Sequence, residues 1–480
     1  MELIYEKSRS GRRAVALEPL DVPEALMAPE LCRPTAAPLP EVSELDVVRH
    51  FTLLSQRNYG VDSQFYPLGS CTMKYNPKVS ELVAAHPGFA SLHPHLSTAK
   101  VYEPVCQGAL ELVFETERML AEIGGMKAGC LQPMAGAHGE LAGVLLIAAY
   151  HRDKGNTHKR TILIPDSAHG TNPASAAMAG FEVREIPSTP AGVMDFDKLV
   201  EALDDTVAGV MMTCPNTHGL FEPQVHEVAE RAHAVDALLY YDGANLNAIV
   251  GKCRPGDLGF DVMHFNLHKT FATPHGMGGP GSGAIAVGER LLPYLPGPRV
   301  VRCADLYTLE AIPKSMGRMA AFFGNFLIAV RAYAFLRHYG GDGLPSVGEN
   351  AVLNANYMFA RLRGAYQAAF EGHCMHECVL SASRQAEKGI RALDIAKALL
   401  DRGFHAPTVY FPLTVKECLM IEPTETESKE TMDLFCDAML EIARLVDEDP
   451  DSLHAAPVTL PVSRLDEVRA AKDLNCACLA

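Results

Sequence analysis

The chain has no apolar run of the roughly 18 residues that a membrane-spanning helix requires, so no membrane span is expected. It has no Lys/Arg-rich run either. Its formal net charge is −16, and nucleic acid needs a basic surface, so nucleic acid is excluded as the main partner. No CxxC pair occurs among the thirteen cysteines, an odd number scattered along the chain, which argues against a disulfide framework. The densest group, "HCMHEC" from His373 to Cys378, could be read as a metal site. Zinc ligands usually come as two separated pairs, however, and no second pair faces this one, so no metal is expected. "CAC" at Cys476 and Cys478 reads as frayed tail. Internal repeats and low-complexity tracts are also lacking. The first twenty residues, "MELIYEKSRSGRRAVALEPL", contain acids and no apolar core segment. Neither a secretory signal nor a transit peptide is expected, and the expected location is cytoplasmic.

What is present is ordinary for a globular chain: 480 residues, 48% hydrophobic and 21% charged. That length suits two or three domains and a large core. Residues 1–75 are rich in proline and polar residues and read as an extended arm. The arm holds one helix, Glu44 to Ser55, because Val47, Phe51 and Leu54 recur at helical spacing and Ser43 can cap it. Residues 76–330 alternate helical segments ("QGALELVFETERMLAEIGG", "GELAGVLLIAAYHRD") with short β-rich runs ("TILIPD", "VAGVMMTCPN", "ALLYYDGAN", "GAIAVGE"). Alternation of this kind predicts an α/β domain with a mostly parallel sheet. Residues 331–480 read as a smaller C-terminal α+β domain, and a long helix is predicted across "MAAFFGNFLIAVRAYAFLRHYG" from Met319. Ligands of such sheets bind beyond the carboxyl ends of the strands. Asp166, Asn216, Asp242 and Lys269 all fall at predicted strand ends, so four polar residues are expected on one edge.

Lys269 stands out within "FNLHKTFATPHGMGGPGSG", between an apolar run and a glycine-dense stretch. A lysine is a strong nucleophile only when unprotonated, and burial favours that form. Asp242, in "YYDGANLNA", lies 27 residues earlier, which leaves room for one connection and one strand. A pyridoxal phosphate cofactor needs such a pair: a lysine for its aldehyde and an acid that keeps its ring nitrogen protonated. "DSAHGTNPASA" offers His169 to stack on a ring, and "LQPMAGAHGELAG" offers a helix start whose amides suit a phosphate. The glycines after Lys269 fit neither a P-loop nor a dinucleotide fingerprint. They are expected to let the backbone pass close to a cofactor or a neighbouring subunit.

These stretches, with "YPLGSCTMKYNP" (Tyr66 to Pro77), "CPNTHGLFE", "PTVYFPLTVKECLMIEPTETE" and "PVSRLDEVRAAK", give the chain a resemblance to a known family. It resembles the glycine decarboxylase (P-protein) of the glycine cleavage system, and more closely subunit 2 of the two-chain form. The resemblance implies a fold-type I pyridoxal phosphate transferase fold, with a large mostly parallel-sheet domain and a small C-terminal α+β domain. It implies pyridoxal 5'-phosphate on Lys269, with Asp242 at the ring nitrogen, His169 stacked on the ring and Ala244 against the other face. Gly136, Ala137 and His138 would hold the phosphate, with Thr270 as a further candidate. Ser70, Cys71, Thr72 and Lys74 would reach the substrate region, or else belong to a rigid arm. The implied reaction decarboxylates glycine and transfers its aminomethyl group to the oxidised lipoyl arm of the H-protein. The implied partner is a related subunit 1, in a heterotetramer of two chains of each kind. Met134 and His138 stand where long single-chain relatives carry Asn and Gln. Two other readings stay open: another enzyme of the same fold (an amino-acid decarboxylase or a desulfurase-like protein), and a non-catalytic support subunit, against which the intact Lys269–Asp242 pair counts.

Overall fold

The computed structural model describes residues 2–23, 25, 27–275 and 280–473, without the side chains of Pro94 and His95. Cys476, Cys478 and the glycines at 276, 278 and 279 lie outside the described residues. The chain divides into two units, Met1–Ser63 and Gln64–Ala480. In the first, the helix Glu44–Ser55 forms where its spacing predicts. Ser43 Oγ accepts the Asp46 N–H at 3.2 Å, and Asp46 Oδ2 accepts the Ser43 N–H at 3.2 Å. Each residue thereby satisfies a donor that the helix start would leave free.

The second unit is built on a seven-stranded sheet. Its strands are β1 (Ala128–Cys130), β2 (Thr161–Pro165), β3 (Glu182–Ile186), β4 (Val207–Thr213), β5 (Leu238–Asp242), β6 (Val262–His264) and β7 (Ile285–Val287). They lie in the order β1-β7-β6-β5-β4-β2-β3. The pairs from β6 through β5, β4 and β2 to β3 are parallel, and β7 is antiparallel to both its neighbours. Strands β4 and β5 are buried along their whole length, which is why they read as continuous apolar runs without polar alternation. Alternate residues serve opposite faces. Leu238 and Tyr240 share a core with Val144 and Ile147 of the helix Gly136–Asp153. Leu239 and Tyr241 share the other core, with Val228 of the helix Val225–Ala234 and Leu120 of the helix Gln107–Gly124.

A hairpin follows, β8 (Arg299–Cys303) with β9 (Leu306–Glu310), and then the helical segment Phe326–Leu362, two helices joined across a kink at Gly340. The sequence predicts this helix from Met319, but tertiary contacts hold the preceding residues in another shape. The Met319 N–H donates to Gln132 Oε1 at 2.9 Å, and Asn325 Nδ2 donates to the carbonyls of Met134 and Gly281 at 3.1 and 2.7 Å. The helix leads to a four-stranded antiparallel sheet of β10 (Gln367–Ala368), β11 (Cys378–Ser381), β12 (Thr408–Val409) and β13 (Cys418–Ile421), in the order β10-β11-β13-β12. The helices Ala392–Leu400 and Lys429–Glu448 share its apolar core. No helix among the described residues is long and apolar enough to cross a membrane.

Residues 64–75, which composition groups with the arm, belong to this second unit. Leu68 bridges to Ile421 of β13, and the Phe65 ring stands edge-on to Phe435 at 5.2 Å. Phe404 meets the same ring edge-on at 5.4 Å. Phe435 is fully buried, so it anchors both the small sheet and the segment that enters the site. Phe435→Ala should cost about 3–5 kcal/mol, and Phe435→Leu much less, in chemical denaturation. Equal small losses for both would show that the ring has no anchoring role.

Candidate active site

Because β2, β4, β5 and β6 are parallel, their carboxyl ends share one edge of the sheet. Strand β5 ends in Asp242. Beyond β6 the chain turns, with the Lys269 N–H bonded to Asn266 O at 3.0 Å and the Ala272 N–H to Lys269 O at 3.2 Å. A cavity of about 160 Å³ opens at this edge. Its walls, among the described residues, include Lys269, Asp242, His169, Ala244, Gly136 and Ala137. Six of the eight cofactor residues expected from the sequence thus face one space.

Asp242 is buried, and its Oδ1 accepts the Ala244 N–H at 2.9 Å. His264 Nε2 lies 3.5 Å from the same oxygen. That ring is fully buried, which pushes its pKa down and keeps it neutral, and it is pinned between Tyr240 OH at 2.6 Å and Asn266 Nδ2 at 2.8 Å. Lys269 Nζ donates to the carbonyl of Ser70 at 2.8 Å. His169 has its Nδ1 2.8 Å from Thr171 Oγ1 and 3.3 Å from the Thr171 amide nitrogen, so both polar atoms of Thr171 hold the ring. Burial lowers the His169 pKa, with Asp242 opposing.

The helix Gly136–Asp153 begins at the cavity. The amides of Gly136, Ala137 and His138 precede its first hydrogen bond, from Gly139 N–H to Ala135 O, and no side chain caps them. A Cβ on Gly136 would stand 2.5 Å from Asn266 Oδ1, so a larger residue there would have to displace the Asn266 side chain. His138 is turned away from such a role: its Nδ1 accepts the Met134 N–H at 3.2 Å. Thr270 is buried with an Oγ1 that has no partner. Thr270 does not line the cavity, but the free amides, the amine and the carboxylate that do form a set of groups that fits pyridoxal phosphate. The glycines after Lys269 are explained in part. A Cβ on Gly283 would run into the carbonyl of Ala135, so the close approach there is to this chain's own helix start.

Other expected residues sit nearby in different roles. Asn216 is buried, with its Nδ2 donating to Glu222 and Gly192 O and its Oδ1 accepting from the His218 N–H. Asp166 accepts the N–H of Ser188. Both brace loops at the sheet edge and neither lines the cavity. Ser70 does line it, while Cys71, Thr72 and Lys74 do not. Burial pushes the Cys71 thiol up. Thr72 is bonded to Glu422, and the buried Lys74 ammonium bridges Glu425 at 2.6 Å and Asn247 at 2.8 Å.

Glu140 was not foreseen from the sequence and lines the cavity. It accepts from Thr171 Oγ1 at 2.9 Å and Ser175 Oγ at 3.4 Å. Burial first, then the charge of Asp242, pushes its pKa up to about 8. The signal was available: Glu140, Val144 and Ile147 share one helical stripe, which is the buried one. "HCMHEC" supplies two further unforeseen neighbours. His376 and Glu377 are fully buried beside Glu422, with donor atoms within 4.8 Å of one another.

Comparison with known proteins gives the family of the chain. Residues 16–311 match the family model described as glycine cleavage system P-protein, and residues 347–456 the one described as glycine dehydrogenase, C-terminal domain. The chain is 54% identical over 476 residues to the "Probable glycine dehydrogenase (decarboxylating) subunit 2" of Bacillus licheniformis, covering 98% of this chain and 97% of that protein. It is 53% identical to the protein of the same description from Chlorobium chlorochromatii, covering 99% of each. Among solved structures, a glycine decarboxylase (P-protein) of the glycine cleavage system in inhibitor-bound form superposes with a TM-score of 0.72 at 22% identity, over 86% of this chain and 92% of that one. The glutamate decarboxylase of Lactobacillus brevis gives 0.66 at 14% identity, over 90% and 96%. The fold is that of the fold-type I pyridoxal phosphate enzymes.

Glu140 gives the cavity a titratable marker. Its folded pKa is raised from 4.5 to about 8, so between those values the unfolded chain has released a proton that the folded chain retains. Stability therefore falls as pH rises through that window. Glu140→Gln removes this dependence. The melting-temperature gain of the variant over wild type should grow from pH 5 to pH 8 and then level off. A gain that is constant with pH would contradict the assignment.

Proposed function

Since this chain belongs to the glycine cleavage system P-protein family, as a glycine dehydrogenase (decarboxylating) subunit 2, we propose that the Lys269 cavity is where it binds pyridoxal 5'-phosphate and decarboxylates glycine. The observation that carries this reading is the meeting of Lys269, Asp242 and an uncapped helix N-terminus in one cavity. The cofactor supplies an aldehyde that condenses with amines and a ring that accepts the electron pair released when a carboxylate departs.

The chain's own residues do the rest. The amides of Gly136, Ala137 and His138 would hold the phosphate, with the unpartnered hydroxyl of Thr270 as a further candidate. Asp242 would keep a proton at the ring nitrogen. The bond from the Ala244 N–H and the neighbouring His264 fix the direction of its carboxylate. His169 and Ala244 would flank the ring, and the contacts of Thr171 with His169 orient the imidazole. Lys269 would hold the cofactor through its aldehyde, the group whose chemistry toward amines the glycine would use. When CO2 leaves glycine, the electron pair left on carbon forms a C–S bond as the disulfide of an oxidised lipoyl group opens, and the second sulfur takes up a proton. The lipoyl group is carried by the H-protein. A related subunit 1 completes the enzyme, in a heterotetramer of two chains of each kind. Ser70 belongs to the substrate region, whereas the ion pair of Lys74 with Glu425 suits a rigid support. Eleven free cysteines among the described residues suit a reducing compartment, and the reading places the enzyme in the cytoplasm.

Borohydride treatment of the chain loaded with pyridoxal phosphate, followed by peptide mapping, tests the reading. The expected adduct is on Lys269. Lys269→Ala should lose the visible band and the glycine-dependent exchange of CO2 measured with subunit 1 and lipoylated H-protein. Asp242→Asn should keep the band and lose at least about a hundredfold in exchange, as for removal of a charge aimed at the reacting centre. No band, even with subunit 1 present, would overturn the proposal.

A further inference from the structure

The loop that receives Lys269 is itself held by two buried acids from the small sheet. Strands β11 and β13 pair antiparallel with Cys378 opposite Ile421. Glu377 precedes the first and Glu422 follows the second, so this register sets the two carboxyl groups side by side. Both are fully buried. Glu377 Oε2 accepts the Ser70 N–H at 2.7 Å, and its Oε1 has no partner. Glu422 accepts the Thr72 N–H at 2.9 Å on one oxygen and the Thr72 hydroxyl at 2.5 Å on the other. Between these anchors the chain takes left-handed φ values at two non-glycine residues, +63° at Ser70 and +47° at Thr72. Such residues are strained and keep that shape only where their surroundings enforce it. The Ser70 carbonyl then accepts Lys269 Nζ.

We propose that Glu377 and Glu422 share one proton, carried on Glu377, and that this pair clamps the Gly69–Thr72 turn so that the Ser70 carbonyl receives the Lys269 amine whenever it is free of the cofactor. The proposal rests on the reading of Lys269 above. Two adjacent buried carboxylates cannot both stay ionised without a cation. Glu422 has donors on both oxygens and is the better anion. Glu377 has one donor and one bare oxygen and is the better place for the proton. Burial raises Glu377 well above the ordinary carboxylate range and Glu422 to about 7, while the charge of Lys269 lowers both and that of Lys74 lowers Glu422 alone, which also favours the proton on Glu377. His376 Nε2 lies 3.8 and 3.9 Å from the two acids, and neither of its ring nitrogens has a partner. Its pKa, lowered to about 3 by burial, makes it a neutral neighbour that adds no cation to Lys269 and Lys74. A carbonyl suits the released amine because it bonds the Nζ without becoming a second charge beside it. Glu377 and Glu422 are positioning residues: they act on Lys269 through Ser70.

Amide hydrogen exchange of the cofactor-free full chain tests the clamp, together with infrared spectra of its carboxyl groups. Glu377→Gln preserves an acceptor for the Ser70 N–H and imitates a protonated acid. It should leave exchange at Ser70 and Thr72 within about threefold of wild type and abolish one protonated-carboxyl band. Glu422→Gln removes the anion that takes two donors. It should raise exchange at Thr72 at least about tenfold, the scale of a lost hydrogen bond to a charged group. In the loaded enzyme with subunit 1, Glu422→Gln should slow the glycine-induced spectral change by a similar factor and leave the affinity for pyridoxal phosphate unchanged. Equal effects of the two variants, no infrared change in Glu377→Gln, or a stoichiometric metal ion that a chelator removes would overturn the proposal. Should wild type show no cofactor band at all, the Lys269 reading fails on its own, while the exchange and infrared results still report on the clamp.

Discussion

A carboxyl group taken out of water must find donors, a cation or a proton. The centre of this protein buries four of them: Asp242, Glu140, Glu377 and Glu422. The amine of Lys269 is a shared electrostatic neighbour of the last three. Each acid meets the constraint differently, Glu377 with a single donor, the Ser70 N–H, and one bare oxygen. Asp242 takes a backbone amide beside a neutral histidine. Glu422 takes two donors from Thr72. Glu140 keeps its proton into the neutral range. The location of Lys269, the shape of the Gly69–Thr72 turn and the chemistry available in the cavity all depend on that distribution of charge.

The fold supplies these groups from different directions. The parallel edge brings Asp242, the turn after β6 brings Lys269, and the helix from Gly136 brings free amides. The small sheet reaches the same place through the residues flanking β11 and β13. Residues 64–75 lie between, tied to the small sheet through Leu68 and Phe65 and to the large one through the bond from Lys269 to Ser70. The site is thus assembled from segments separated by as many as 350 residues, the spacing between Thr72 and Glu422. Packing of both sheets fixes its geometry.

Much of this was legible in the sequence, for local reasons. The helix at Glu44 is set by its own capping pair. The buried strands show as apolar runs, and Asp242 and Lys269 show because a strand end is where a parallel sheet presents its ligands. The parts that were not legible are those decided by contacts distant in sequence. Asp166 and Asn216 satisfy the same strand-end rule, yet their polar atoms are taken by Ser188 and Glu222 across loops. Residues 319–325 have a helical pattern, but side-chain bonds to Gln132 and Met134 outweigh it. Glu377 and Glu422 become partners only through a strand register that no local signal specifies.

A crystal structure of the chain together with subunit 1 and pyridoxal phosphate tests the central claim most directly. The account predicts continuous density from Lys269 Nζ to a ring lying between His169 and Ala244, its nitrogen at Asp242 and its phosphate at the amides of Gly136, Ala137 and His138. Density for the cofactor in another place, or a ring whose nitrogen is remote from Asp242, would contradict it.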